Sequence, residues 1–342
     1  MTKRVTPIPF GTTVASGMRD PRYAARANLI DVPTRLDKLP KLPFRLRDEW
    51  DLFQRVRKAA KREKALLLFS SRGYLKPELL AVASLRLFSP KTIPKIIFYG
   101  EMYQANFGLR GYFESLILRW TDKIITRYAV YSEADRELFT QTWGFDPKKV
   151  SVCPYYTFHQ PNDPSPAMKT KGKHIFAGGN SFRDFAPVIE AARQMPDLTF
   201  YLVTTKIEPT PESPPNVKIG PVPFDQYKKL IATAAAVIIP LQTGLNRSTG
   251  MLTYLESMWA KNPTIVPDAV GVREYIQHKE TGLIVDGRAA GYVNALRWVL
   301  ADENATKVKE MCERAHDTVL SQFSLEKHVT HLLNIVDQAL AA

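Results

Sequence analysis

Three short segments of this 342-residue chain combine residue types that suit an anionic ligand. The first is 178–184 (GGNSFRD), directly after the apolar run 173–177 (KHIFA). Its paired Gly178 and Gly179 let a ligand approach the backbone, and Arg183 supplies a forked donor for phosphate oxygens, with Ser181 between them. The plainer reading is a strand-to-helix turn whose Arg183 and Asp184 form a surface pair. The second is 246–250 (NRSTG), which opens a helical stretch through Ala260. Ser248 and Thr249 read as ordinary helix caps, and the free amides and positive dipole end there suit a phosphate. Glu256 lies on that helix among Met251, Leu252, Leu255, Met258 and Trp259. A carboxylate so placed accepts from two ribose hydroxyls, or else it faces solvent as charged side chains usually do. The third is 268–276 (DAVGVREYI) with 280–285 (ETGLIV), a turn, a short helix and a Gly-led strand. Together the three suit a diphosphate and a ribose. The chain has no Walker loop, and no GxGxxG follows a strand.

Alternating elements position these residues. In the second half, strands at 173–177, 199–204, 237–240 and 264–266 alternate with helices at 185–194, 225–235 and 250–260. Short apolar strands alternating with helices give a parallel sheet covered on both faces, whose ligands bind at the carboxyl ends of the strands where strand order reverses. The first half repeats the pattern less cleanly. Strands are expected at 65–70 and 95–99, within 123–131 and at 150–154, with helices at 78–88, 112–120 and 134–141. The proline-rich residues 1–45 support no assignment. Residues 160–173 (QPNDPSPAMKTKGK) have three prolines and no apolar periodicity, so they read as a linker. The expected division is a first domain at 1–160, a linker at 161–172, a second domain at 173–320, and a helical end at 321–342 that leaves its own domain to brace the other. Two α/β domains make a cleft between them, where a small ligand usually sits.

The net charge of +13 is one-sided. Residues 1–160 hold 28 Lys/Arg against 15 Asp/Glu, whereas residues 161–342 hold 19 of each. That field suits an anionic partner for the first half, such as a membrane surface, a phosphorylated lipid or a nucleic acid; a solubilising surface is the plainer explanation. Residues 45–64 carry Leu46, Trp50, Phe53, Val56 and Ala60 on one helical face, with Arg55, Arg57, Lys58, Lys61 and Arg62 on or beside the other. Such a helix lies on an anionic bilayer, or is an ordinary domain helix with a solvated basic face. Two cysteines form neither a disulfide framework nor a metal cluster, which fits a reducing compartment. No signal peptide and no membrane-spanning run is recognisable, so a cytoplasmic protein is expected.

The segment 254–287 (YLESMWAKNPTIVPDAVGVREYIQHKETGLIVDG) resembles the donor-binding core of retaining GT-B glycosyltransferases of the family 4 type. Glu256, Met258, Ala260, Pro263, Ile265, Val266, Gly271, Glu274, Ile276, Gly282, Ile284 and Val285 fill that family's pattern. Residues 220–241 resemble its segment around the nucleobase, 176–196 the opening of its donor domain, and 123–156 a stretch of its first domain, so the likeness spans about residues 95–300. The resemblance implies a GT-B fold, with two Rossmann-like α/β/α domains facing across a cleft. It also implies transfer of a sugar, with retention, from a UDP- or GDP-sugar to a hydroxyl in glycolipid, polysaccharide or glycoconjugate synthesis. Arg183 and Glu256 would serve the reaction, Arg183 gripping the diphosphate and Glu256 the ribose. The backbone of Ser248, Thr249, Gly250 and Met251 would meet the distal phosphate and sugar. Gly178, Gly179 and Ser181 would form the donor loop, and Val222 would lie near the base.

The chain departs from the family at two points. Ser248 stands where a second Glu is usual, and the second basic residue after the glycines is displaced, with Lys206 or Arg247 as substitutes. No cofactor and no metal is expected, because there is no Asp-x-Asp and an arginine with a helix terminus can stabilise the leaving diphosphate. Glu101, after the strand at 95–99, is the expected contact for an acceptor or donor sugar; a bland surface position is the alternative. The acceptor would be lipid-linked, a saccharide or a small molecule, with the basic half peripheral on the inner membrane face. A non-catalytic GT-B relative acting as a membrane-surface scaffold is the rival reading. Nucleic acid is not an expected partner, since no RNA-binding motif is present.

Overall fold

Strands β1 (Phe10–Thr12), β2 (Ala27–Leu29), β3 (Ala65–Phe69), β4 (Lys95–Tyr99), β5 (Ile125–Val130) and β6 (Val150–Val152) form a sheet of order β2-β1-β3-β4-β5-β6. Every neighbouring pair is parallel. The computed structural model describes residues 7–31, 42–69, 76–89, 92–100, 108–160, 163 and 172–342. Sequences such as ALLLF in β3 and the IIFY of β4 are continuously apolar because a parallel sheet is covered on both faces. The crossover helices are α2 (Leu42–Ala60), α3 (Pro77–Phe88), α4 (Gly108–Asp122) and α5 (Glu133–Trp143), preceded by the short α1 (Pro21–Ala24). They bury Leu52, Val56, Leu79, Val82, Leu118 and Phe139 with the strands in one core. The proline-rich start, which supported no assignment from sequence, supplies β1, α1 and β2.

Helix α2 buries only part of the expected apolar face: Val56 and Ala60 enter the core and Phe53 packs against it. Its buried row is Glu49, Leu52, Val56 and Ala60, while Leu46 and Trp50 are exposed. Leu52 lies about 200° around the helix from Trp50, so the face carrying Leu52 turns Trp50 outward. Trp50 instead stacks on Phe53, ring centroids 5.0 Å apart.

The second sheet comprises β7 (His174–Gly178), β8 (Thr199–Val203), β9 (Val217–Ile219), β10 (Ala236–Ile238), β11 (Thr264–Pro267) and β12 (Leu283–Val285), in order β12-β11-β10-β7-β8-β9. All its pairs are parallel as well. Its helices are α6 (Ala186–Arg193), α7 (Phe224–Ala232), α8 (Met251–Trp259), α9 (Val272–Tyr275), α10 (Ala289–Leu300) and α11 (Ala305–Gln322). From β7 the chain builds outward to β8 and β9, then returns to lay β10, β11 and β12 on the opposite side. Strand order therefore reverses between β7 and β10.

The two compact units are Met1–Cys153 with Glu326–Ala342, and Pro154–Leu325. The break falls before residue 160 because the segment after Cys153 bonds to the second unit. Tyr155 N–H donates to Tyr275 Oη (2.8 Å), and Thr157 N–H to the Phe323 carbonyl (2.8 Å). The final helix, α12 (Leu325–Ala341), starts later than the expected 321 and packs in the first unit. It buries Val329, Leu332, Ile335, Val336 and Ala339 at helical spacing. Arg22 donates to the Glu326 carbonyl (2.9 Å) and to Thr330 Oγ1 (3.1 Å), and Arg26 pairs with Asp337. His328 is buried with Nε2 3.1 Å from Tyr99 Oη and Nδ1 3.5 Å from Cys153 Sγ. Among the described residues no helix is long and apolar enough to cross a membrane.

Candidate functional site

The crevice between β7 and β10, where strand order reverses, is where an open α/β sheet binds a ligand. The loop after β7 and the loop after β10 are stitched together there. Asp184 N–H donates to the Pro240 carbonyl (2.8 Å), Gln242 N–H donates to the Phe182 carbonyl (3.0 Å), and Arg183 bridges Leu241. Arg183 folds back over the glycine turn. Its Nε donates to the Gly178 carbonyl (3.2 Å), Nη1 to the Ser181 carbonyl (2.7 Å) and Nη2 to Thr253 Oγ1 (3.3 Å). The expected alternative of a surface pair with Asp184 does not form, since Asp184 accepts from Ala186 N–H instead.

Among the described residues no carboxylate pairs with Arg183, although its guanidinium is largely withdrawn from water. Burial lowers its pKa to about 10, against the opposing influence of Tyr227 and Tyr254, so it stays cationic at neutral pH. A withdrawn cation held by carbonyls and a hydroxyl is electrostatically incomplete and attracts an anion. Tyr227 packs edge-on against Phe176 beneath this turn, 5.2 Å between centroids, and burial raises its phenol.

Helix α8 begins beside Arg183. Its cap is Gly250 at φ +87°, with no side-chain cap bond, which corrects the expectation that Ser248 or Thr249 caps it. Both of those side chains are buried upstream. A Cβ at Gly250 would stand 2.7 Å from Leu241 Cδ2, so the turn into α8 requires glycine. Met251 opens the helix and is buried. Arg247 lies over the Phe182 ring, 5.4 Å from its centroid, on the same pair of loops.

Three residues after Thr253, Glu256 is neither solvent-facing nor isolated. Its side chain is 21% exposed, and its Oε2 accepts from His159 Nε2 at 2.9 Å. The His159 ring lies flat on Trp259, centroids 3.3 Å apart and planes within 3°. Thr253, Glu256 and Trp259 thus form a stripe at i, i+3, i+6 along α8, holding Arg183 at one end and His159 at the other.

The remaining expected residues are more dispersed. Lys206, on the loop after β8, is exposed and borders an open groove of about 500 Å³ together with Arg183, Asp184, Ile189 and Glu208. Val222 is half-buried between β9 and α7. Glu101 lies outside the described residues. The sequence did not single out His159, Thr253, Tyr227 or Trp259 as site residues. For Thr253 a signal existed, three residues ahead of Glu256 on the same helical face. His159 is nearly a hundred residues from its partner and carries no local signature. Among the described residues no group of three or more His, Cys, Asp or Glu is placed to hold a metal ion.

Residues 182–302 match the family described as Glycosyl transferases group 1, a span that includes Arg183, α8 and Glu256. No curated protein sequence matches the chain. Among solved structures, a glycosyltransferase from Rickettsia africae ESF-5 superposes with a TM-score of 0.66 at 16% identity, covering 98% of this chain and 99% of that one. Alr3699/HepE from Anabaena, solved in complex with UDP, gives 0.64 at 14% identity over 93% and 87%. Sucrose-phosphate synthase from Thermosynechococcus elongatus gives 0.63 at 14% identity over 92% and 84%. The chain therefore has the two-domain α/β fold of these solved structures, and the stretch that matches the glycosyl transferases group 1 model lies in its second unit.

Proposed function

We propose that the protein is a retaining glycosyltransferase of the family 4 type, moving a sugar from a UDP- or GDP-sugar to a hydroxyl acceptor. The observation that carries this reading is Arg183, a withdrawn cation without a carboxylate partner among the described residues, at the strand-order reversal beside the N-terminus of α8. A nucleoside diphosphate there is met by the Arg183 guanidinium, the amides that open α8 and, from the adjoining loops, Arg247 or Lys206. Negative charge on that diphosphate grows as the glycosidic bond breaks, so these donors bind the transition state better than the ground state. Glu256 accepts from the donor ribose, and Val222 adjoins the base. The UDP complex of the Anabaena neighbour supports a uridine donor. In this reading no metal takes part.

The acceptor is lipid-linked, a saccharide or a small molecule, delivered on the cytoplasmic face of a membrane. Two features favour the membrane. The net charge of +13 lies within residues 1–160, and α4 turns Leu109, Tyr112, Phe113 and Leu116 outward at i, i+3, i+4, i+7. One observation favours a second reading, a binding protein without turnover. Ser248, at the position where the related enzymes carry a second Glu, is buried.

A thermal-shift panel of UDP, GDP, ADP and their sugars, followed by an assay for released nucleoside diphosphate, separates the two readings. Stabilisation by UDP or GDP with turnover of the matching sugar is the expected result. Stabilisation without turnover supports the binding protein, and no stabilisation by any nucleotide contradicts both.

A further inference from the structure

Glu256 reaches its position with help from outside its own helix. His159 belongs to the segment that opens the second unit, more than ninety residues earlier in the chain. An ionised carboxylate only accepts, so the 2.9 Å contact is Nε2–H donating to Glu256 Oε2. The imidazole is itself held in place. Its face lies on the Trp259 indole, and the His159 backbone N–H donates to Thr157 Oγ1 at 3.2 Å. Trp259 in turn is buried, and its carbonyl accepts from His316 Nδ1 at 2.6 Å. Without the bond from His159, the Glu256 side chain regains its rotamers and must be ordered by the ligand at the ligand's expense.

We propose that His159 is the positioning residue for Glu256, presenting its carboxylate in one fixed orientation to the hydroxyls of the donor ribose. This rests on the assignment of Glu256 to the ribose made above. The arrangement makes His159 a determinant of ribose over deoxyribose, although it touches neither sugar. His159 meets α8 at Glu256 and Trp259, whereas Arg183 meets it at Thr253, so the two residues serve different ends of the helix.

The test is calorimetric titration of UDP and 2′-deoxy-UDP, or the guanine pair if GDP is the nucleotide that binds, into four proteins. These are wild type, Glu256→Ala, His159→Phe and His159→Gln, each checked for an unchanged thermal transition. Wild type is expected to prefer the ribonucleotide, and Glu256→Ala to abolish the preference. His159→Phe keeps an aromatic ring to stack on Trp259 but cannot donate, and should lose the preference about tenfold while binding the deoxynucleotide as wild type does. His159→Gln restores a donor and should recover most of the preference, which a merely structural role for the ring does not explain. Wild-type preference in both His159 variants overturns the proposal and leaves Glu256 as assigned. Tighter ribonucleotide binding by His159→Phe also overturns it, showing that His159 competes with the ribose for Glu256. If Glu256→Ala itself keeps the preference, the ribose assignment fails and the positioning role falls with it.

Discussion

The Cβ that Gly179 lacks would stand 2.8 Å from Nε of Arg183, and the backbone at Gly179 has φ +120°. The backbone conformation therefore disfavours any side chain at this position, and an added Cβ would push the guanidinium aside. Gly179→Ala is expected to displace Arg183 from the Gly178 and Ser181 carbonyls and to lower stability by about 1–3 kcal/mol through backbone strain. Nucleotide affinity should fall further than that of a control variant of equal stability. Titration of UDP and GDP at a temperature where the variant is fully folded checks this. Wild-type affinity in the folded variant would mean that Arg183 does not need its observed place.

Cys153 carries the opposite lesson, since a Cys–His contact here is not reactive machinery. Burial pushes its thiol well above the ordinary range, and only the thiolate is nucleophilic. A disulfide reagent is expected to leave Cys153 unmodified in the native protein and to react only as the first unit opens. Reaction rates followed across a denaturant series, with peptide mapping, would show this. Rapid native-state modification of Cys153 would contradict its burial against His328 of α12.

Acid should loosen that helix. The hydrogen bond from Arg22 holds the Asp20 carboxyl below its ordinary value, outweighing the effect of burial. A depressed carboxylate contributes stability that is fully present above its unfolded value near 3.8 and is lost as pH falls through the lower folded value. Arg22 also binds α12, so the first unit of the wild type should lose thermal stability below about pH 4. Asp20→Asn should be less stable at neutral pH and show a flatter acid limb. An identical acid limb in the variant would remove Asp20 from the account.

Membrane attachment, if it occurs through the first unit, is electrostatic in reach and apolar in grip. Binding to anionic vesicles is expected at low salt, with about 1 kcal/mol from each Lys or Arg near the surface, and a steep decline as salt screens it. Neutral vesicles should bind weakly. Replacing Leu109 and Phe113 together by serine should weaken the anionic binding without altering the thermal transition. Equal failure to bind both vesicle types at low salt would leave a soluble acceptor as the better reading.

Much of the second unit is legible in its sequence, because each strand and helix there is short, apolar on schedule and punctuated by Gly or Pro. The strand ends, the glycine turn, α8 and Glu256 all follow from local pattern. β9 escaped because VKI is three residues long and has no periodicity of its own. The outward turn of Trp50 on α2 is not legible because Leu52 and Trp50 both fit an apolar stripe, and only the sheet beneath decides between them. His159 could not be found because its pairing with Glu256 is a tertiary contact between distant segments. The inward turn of Arg183 is likewise illegible in part, since one of its three bonds goes to Thr253, seventy residues away.

The most direct measurement compares turnover of the accepted nucleotide sugar by wild type, Arg183→Ala and Arg183→Lys, with and without a chelator. Loss of the diphosphate clamp should lower kcat by about 100-fold or more in Arg183→Ala, with a smaller change in nucleotide affinity. Arg183→Lys should remain impaired because a point charge does not replace the fork, and chelation should change nothing in the wild type. Wild-type kcat in a folded Arg183→Ala, or activity abolished by chelator and restored by magnesium or manganese, would contradict the account.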